Sequence, residues 1–532
     1  MATVEKKKKT QGEQTKFLKN AEQYKKSLQD DREVYYKGER IEDVTTHFAT
    51  AGGINNIADL YQQQFDAEGQ KLLTYVRGDG QRVTTSYLIP RTKEDLKFRR
   101  EGIKHVARQT WGTHGRGIDM ISTLPIGMLA ELPSFKRSCP ETAENIVWYT
   151  NYCEENNIHL TETIVDLQGF RSRASGTAPE TQPPDRATAR IVKEDSSGIW
   201  ISGVKGVGTA VPQSNEVLIG SFHPPLDEES FWVYVPLDSP GLKIVAREIT
   251  HRPGSNAYDH PLTSRGEELE SIVAFENMFV PRERIIAMRR REVHGVNFYN
   301  VWGRYEHWYT FIRIVAKAEL YAGLAQLIVD TLELGEVAVV RQRVADVIEY
   351  CQILQGMQYA AEELAVETEG GVMVPDVNVT TAARSYALDN LPRILHILQD
   401  ICGQGMVLRW SEADLELPAA FGKKLSWFLD TRNMSARDKN LVMNLVWDVT
   451  GSEHATRSKL FEESNALNVP FLKERLYGEY DRSVFLQECR SFLGLGAAGE
   501  RKYEAHIDAP SLSSVKTDAL SGARGAKPIG GR

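Results

Sequence analysis

Five cysteines and three closely spaced glycines are the residues whose types could give this chain metal, redox or nucleotide chemistry. Their spacing argues against all three. Cys139, Cys153, Cys351, Cys402 and Cys489 are odd in number and no two form a C-x-x-C pair, so the expectation is reduced, mostly buried thiols and no metal site. Gly203, Gly206 and Gly208 make G-x-x-G-x-G, which inverts the dinucleotide-binding order and lacks the strand–turn–helix setting that order needs. They are expected in turns.

The elements that must position any site follow from size and period. A chain of 532 residues is long enough for roughly three domains, and 41% hydrophobic with 26% charged residues is ordinary for a globular protein. The formal charge of −8 excludes a typical nucleic-acid binder, which would carry a basic stripe. The one dense basic run, Lys6 to Lys9, is expected to be a solvated terminus. The first 20 residues have no apolar core and no run of about 18 apolar residues occurs, so no signal peptide or membrane span is expected, and the location predicted is cytoplasmic.

Residues 1–155 are predicted to be mainly helical, with a hairpin at Glu33 to Val44 turned by Lys37-Gly38 and a helix capped by T-K-E-D at Thr92 that should end near Gly112 to Gly117. Residues 156–286 change to short alternating strands around turns such as Asp195 to Gly198 and Pro240-Gly241, a β-barrel or sandwich, with Ser172 to Asp185 a loop. Residues 287–495 return to long helical period in Tyr305 to Leu332, Val337 to Glu367, Thr380 to Cys402 and Ser435 to Glu463, the last opened by S-A-R-D. These make an antiparallel bundle. A flexible tail, 496–532, is expected after it. The class is α+β, and its order suggests an acyl-CoA-dehydrogenase-like fold: N-terminal helical domain, central antiparallel β-barrel or sandwich, and C-terminal helix bundle.

The most informative stretch is S-L-Q-D-D-R-E-V-Y-Y-K-G-E-R-I-E-D-V-T-T-H, from Ser27 to His47. With Tyr24 before it, it resembles the N-terminal signature of the 4-hydroxyphenylacetate 3-monooxygenase family. W-G-T-H-G-R-G-I-D-M around Arg116, G-V-K-G-V-G-T-A-V, Y-D-H-P-L-T-S-R, N-M-F-V-P-R-E-R and W-D-V-T-G-S-E follow in the family's order over about residues 20 to 490.

The resemblance implies the oxygenase component of a two-component system. FADH2 from a separate NAD(P)H:flavin reductase would react with O2 to a C4a-hydroperoxyflavin, which hydroxylates an aromatic or heteroaromatic substrate. The lack of a nicotinamide fingerprint suits that division of labour. The resemblance also implies a homotetramer, an Arg116 that stabilises a phenolate with a guanidinium that never loses its charge, and flavin contacts from Thr209, Ser214, Gly451, Ser452 and Glu453.

The chain departs from the family where phenol-hydroxylating members place a tyrosine and a histidine beside that arginine. Met120 and Glu162 stand at those positions. A carboxylate there would repel a phenolate. It could instead take a proton from a ring N–H, an amine or a hydroxyl, or pair with Arg116, so a substrate other than 4-hydroxyphenylacetate is expected. His159 is a substitute neighbour if the alignment slips, and Ser255 and Asn256 are candidates to close over the substrate. His307, in R-Y-E-H-W-Y-T-F, is the other candidate base, with His294 behind it. Two alternatives share the scaffold: a dehydratase of the 4-hydroxybutyryl-CoA type, whose cluster cysteines are missing between Arg91 and Met120, and a catalytically degenerate member.

Overall fold

The computed structural model describes residues 15–167, 188–222, 226–251, 254–290, 302–415, 429–465 and 467–495. The loop expected at Ser172 to Asp185, His294 and the tail 496–532 lie outside them. The strands are β1 (Glu33–Tyr36), β2 (Glu39–Ile41), β3 (Thr74–Val76), β4 (Arg82–Thr84), β5 (Leu160–Thr163), β6 (Arg190–Asp195), β7 (Gly198–Thr209) and β8 (Glu216–Ile219). They continue with β9 (Phe231–Pro236), β10 (Leu242–Ala246), β11 (Glu270–Pro281), β12 (Ile285–Met288), β13 (Val366–Glu367) and β14 (Met373–Val374).

The N-terminal hairpin forms as expected. Lys37 and Gly38 carry φ of 50° and 86°, the two successive positive angles of a two-residue turn whose twist suits the flanking strands, and glycine takes the second without strain. β1 then pairs in parallel with β10, so the signature stretch is an edge of the main sheet.

That sheet runs β2-β1-β10-β11-β7-β6, and a second runs β12-β9-β8-β5. Both are open, which makes the architecture a sandwich and not a barrel, and the β1–β10 and β5–β8 pairs are parallel among otherwise antiparallel ones. Ile201, Ile244 and Val273 of the large sheet share one core with Val217, Ile219 and Val233 of the small one. Leu160, Leu218 and Trp232 of the small sheet pack in a second core, with Leu124, Ile146 and Tyr149 of the N-terminal helices. β5 and β8 are therefore buried at every position, as strands covered on both faces are.

The helix Lys93–Gln109 starts in a reciprocal Thr92–Asp95 capping box and stops before the glycine-rich segment. In the bundle, Arg304–Thr331, Ala338–Glu363 and Val377–Cys402 surround a third core that includes Val315, Leu354 and Leu398. Two expectations need correction. The second of these helices ends at Glu363 and its expected last turn becomes the β13–β14 hairpin. The Ser435 segment is two helices, Ala436–Thr450 and Glu453–Ser464, because the Ser452 hydroxyl accepts the Ala455 N–H and starts the helix anew. Among the described residues no helix is long and apolar enough to cross a membrane.

Candidate active site

The segment after helix Lys93–Gln109 is pinned by Glu268, which precedes β11. Its carboxylate accepts the Gly115 and Arg116 N–H groups at 2.7 and 2.8 Å, and Arg457 of helix Glu453–Ser464 at 3.0 Å. Burial pushes the Glu268 pKa up, but Arg457, His114 and the two N–H groups hold it below the usual carboxylate range. A Cβ on Gly115 would lie 2.1 Å from the Phe461 ring, so glycine is what lets this loop touch the bundle.

Arg116 is thereby aimed inward. Its Nη2 donates to Glu162 Oε1 at 2.7 Å, its Nη1 lies 2.8 Å from Met120 Sδ and 3.0 Å from Asn465 Oδ1, and the guanidinium sits 5.7 Å from the Phe461 centroid. Glu162 projects from the middle of β5 and is buried. Burial raises its pKa against the pull of Arg116. Among the described residues Arg116 Nε and Glu162 Oε2 are buried without a hydrogen-bond partner. Arg116, Met120 and Glu162, brought together by resemblance in the sequence, form one buried group here.

The structure adds three residues to this group that sequence reasoning missed: Glu306, Arg384 and Asn465. Glu306 opens helix Arg304–Thr331 and is 0% exposed. Burial and then the charge of Glu162 push its carboxyl up to about 8, against Arg116 and Arg384. Burial and Glu162 thus favour its neutral form. The signal was an acid amid the apolar residues that follow Tyr305, all buried through Ala318.

His307 points elsewhere: its Nδ1 lies 3.1 Å from Arg475 Nη1. Burial, then Arg384, Arg475 and Arg304, hold its pKa well below the usual value. It is a neutral ring among arginines, and the residue that feels Arg116 and Glu162 is its neighbour Glu306. His159 is a strut: fully buried, its ring spans the carbonyls of Gln213 at 3.1 Å and Arg116 at 3.3 Å, and burial takes its pKa to about 4. Asn256 folds its side chain onto the Tyr258 and Asp259 N–H groups, leaving Ser255 and Asn256 in a turn that the structure does not join to Arg116.

Gly451, Ser452 and Glu453 line a cleft of about 240 Å3 with Thr250, Thr263 and Asp448. Among the described residues, Thr263 Oγ1, Asp448 Oδ1, His454 Nε2 and Ser458 Oγ in and beside it are buried without hydrogen-bond partners, with only His260 Nδ1 at 3.9 Å from Asp448 Oδ1. Such atoms fit the polar edge of a flavin, whose N–H and C=O groups would satisfy them. Thr209 pairs with Glu270, which Arg457 of the same helix binds, so sheet and bundle meet beside this cleft. Ser214 does not contribute its hydroxyl: it is buried and donates to Ala210 O at 2.8 Å.

A mixed sandwich between N-terminal helices and a long helix bundle, with a polar cleft where sandwich and bundle meet, is the acyl-CoA-dehydrogenase-like architecture of flavin enzymes. Residues 20–287 match the N-terminal model of 4-hydroxyphenylacetate 3-hydroxylase and residues 297–494 its C-terminal model; the chain belongs to that family. It is 31% identical over 86% of its length to the 4-hydroxyphenylacetate 3-monooxygenase oxygenase component of Thermus thermophilus, covering 94% of that protein. It is 29% identical over 84% of its length to the oxygenase component of a 4-nitrophenol 4-monooxygenase/4-nitrocatechol 2-monooxygenase of Rhodococcus opacus, covering 85% of it. A solved 4-hydroxyphenylacetate 3-monooxygenase oxygenase component, complexed with FAD and 4-hydroxyphenylacetate, superposes with a TM-score of 0.82 at 29% identity, over 90% of this chain and 98% of that one. The enzyme is a flavin-dependent monooxygenase, the oxygenase component of a two-component system.

Proposed function

We propose that the enzyme hydroxylates an aromatic or heteroaromatic ring whose O–H or N–H is held between Arg116 and the carboxyls of Glu162 and Glu306. The observation that carries this reading is the buried Arg116–Glu162 pair at 2.7 Å, with Met120 completing the contact. FADH2 bound in the cleft would supply, with O2, the electrophilic oxygen. The unpartnered Glu162 Oε2 accepts the substrate proton, and the unpartnered Arg116 Nε donates to the atom that loses it. Charge on the ring rises as that proton leaves, and the guanidinium stabilises it. Glu306, neutral, adds no second negative charge at that moment. Burial of all three keeps water from the reacting edge.

Turnover with a surrogate flavin reductase against phenol, aniline and indole series tests this. Hydroxylated ring product is expected, and Glu162→Gln is expected to shift preference toward phenols, because an amide does not repel a phenolate. Consumption of FADH2 to hydrogen peroxide with no ring product from any series would defeat the reading.

For the flavin itself, support comes from the orphaned Thr263 hydroxyl and its neighbours. Thr263→Val, which keeps shape and removes one neutral hydrogen bond worth about 1 kcal/mol, is expected to weaken FAD binding about fivefold in equilibrium dialysis. An unchanged Kd would remove Thr263 from the flavin site.

The same reading includes a homotetramer. Helix Ser483–Phe492 buries none of its residues, and Phe492 is 91% exposed, an apolar face that a second copy would cover. A reducing cytoplasm fits four buried cysteines.

A further inference from the structure

Arg384, on helix Val377–Cys402, is 0% exposed. Its Nη2 donates to the backbone carbonyls of Asn465 at 3.0 Å and Leu467 at 3.4 Å, while Nε and Nη1 have no hydrogen-bond partner among the described residues. Asn465 links it to the substrate group, since the side-chain oxygen of the same residue accepts from Arg116 at 3.0 Å. Asn465 Nδ2 is also buried without a partner. Arg116 Nε, Asn465 Nδ2 and two nitrogens of Arg384 thus form a run of donors around one residue that find no acceptor among the described residues.

The neighbouring charges do not supply that acceptor. Arg116 is paired with Glu162 at 2.7 Å and Arg475 with Glu479 at 3.0 Å, while Glu462 accepts from Arg313 at 2.6 Å and from Lys317 at 3.0 Å. Glu306 lies close enough to Arg384 for the two to feel each other's charge, but burial and Glu162 favour its neutral form, and it makes no ion pair with Arg384 among the described residues. A fully buried guanidinium with donors left over is costly, and the arrangement becomes favourable when an anion enters.

We propose that Arg384 is a second anchoring point of the substrate site and binds a carboxylate-type anion borne by the same aromatic substrate whose O–H or N–H meets Glu162. The inference rests on the reading of Arg116 as the substrate group. A substrate held at both ends would be oriented along the line from β5 to the bundle, which fixes the ring position presented for oxygenation.

Isothermal titration of the full-length protein with the three hydroxybenzoates and the three aminobenzoates, each beside phenol or aniline, tests this. At least one acid is expected to bind about tenfold or more tightly than its neutral parent. Arg384→Gln should bring the acid's affinity down to that of its neutral parent in the same variant, and Arg384→Lys should restore part of the difference. Melting temperatures of both variants confirm folding, and the glutamine variant is expected to melt no lower than wild type, since it loses a buried charge. An acid that gains nothing over its parent overturns the proposal, as does an advantage that survives in Arg384→Gln. Acetate or bicarbonate binding that depends on Arg384, without any gain for the ring acids, would mean a free anion and also overturns it. If neither acids nor neutral rings bind, the substrate reading of Arg116 has failed, which is a different result from acids and neutral parents binding alike.

Discussion

Replacing Arg116 by alanine is expected to cut hydroxylation by roughly 10²- to 10³-fold, the loss that follows removal of one preorganised donor from a developing anion. The single substitution has a second effect. Glu162 would remain buried without its partner, a change that costs about 3–5 kcal/mol of stability when one member of a buried pair is removed. A fall in activity alone therefore does not separate a catalytic arginine from a structural one.

The double variant Arg116→Ala/Glu162→Gln separates them. It removes both charges, so the melting temperature is expected to recover much of what the single variant loses, while hydroxylation stays low and FAD affinity stays within about twofold of wild type. FAD affinity should be spared because the cleft at Thr263, Asp448 and Gly451 is built from other elements. If the double variant regains hydroxylation together with stability, Arg116 and Glu162 are only a structural pair. If FAD affinity collapses with either variant, Arg116 belongs to the flavin site.

Where chemistry is local, the fold was legible. Lys37-Gly38 turns a hairpin, and Thr92 with Asp95 caps a helix, because each interaction is settled within four residues of chain. The break at Gly451-Ser452 is equally local but was hidden, since the helical period runs on through it and Ser452 looks like any surface serine until its hydroxyl is seen at the Ala455 N–H. The parallel joining of β1 to β10 could not be read at all. It pairs residues some two hundred positions apart, and strand partners at that distance leave no mark in either strand.

The site divides the same way. Arg116, Met120 and Glu162 were found through family resemblance, not spacing. Glu306, Arg384 and Asn465 come from three separate bundle segments, and only packing brings them to β5. Resemblance pointed to His307 through its place near the start of the first bundle helix, yet burial and the arginines around it keep that ring neutral, so the group that titrates closer to neutrality is the adjacent carboxyl, raised by burial and by Glu162 against the arginines.

That transfer leads to the second large effect, at Glu306. Its carboxyl, ordinarily near 4.5, is held up to about 8 by burial and by Glu162. Below pH 4.5 the folded and unfolded chains both carry the proton. Between 4.5 and 8 only the folded chain keeps it, so unfolding releases a proton and stability falls as pH rises; above 8 the loss levels off, at an upper bound on the order of 5 kcal/mol. Glu306→Gln is neutral throughout. Its melting temperature relative to wild type should therefore climb from pH 5 to pH 8 and then flatten, and a difference independent of pH would show that Glu306 is ionised in the folded enzyme. The catalytic counterpart follows from the groups that face this carboxyl: Glu162 on β5, Arg116 on the loop and Arg384 on the bundle. Once ionised, Glu306 competes with the substrate for both arginines and stands as a second negative charge beside Glu162. kcat/KM is expected to fall as pH passes about 8 in wild type, and to hold to higher pH in Glu306→Gln, if the neutral carboxyl is what leaves the two guanidinium groups to the substrate.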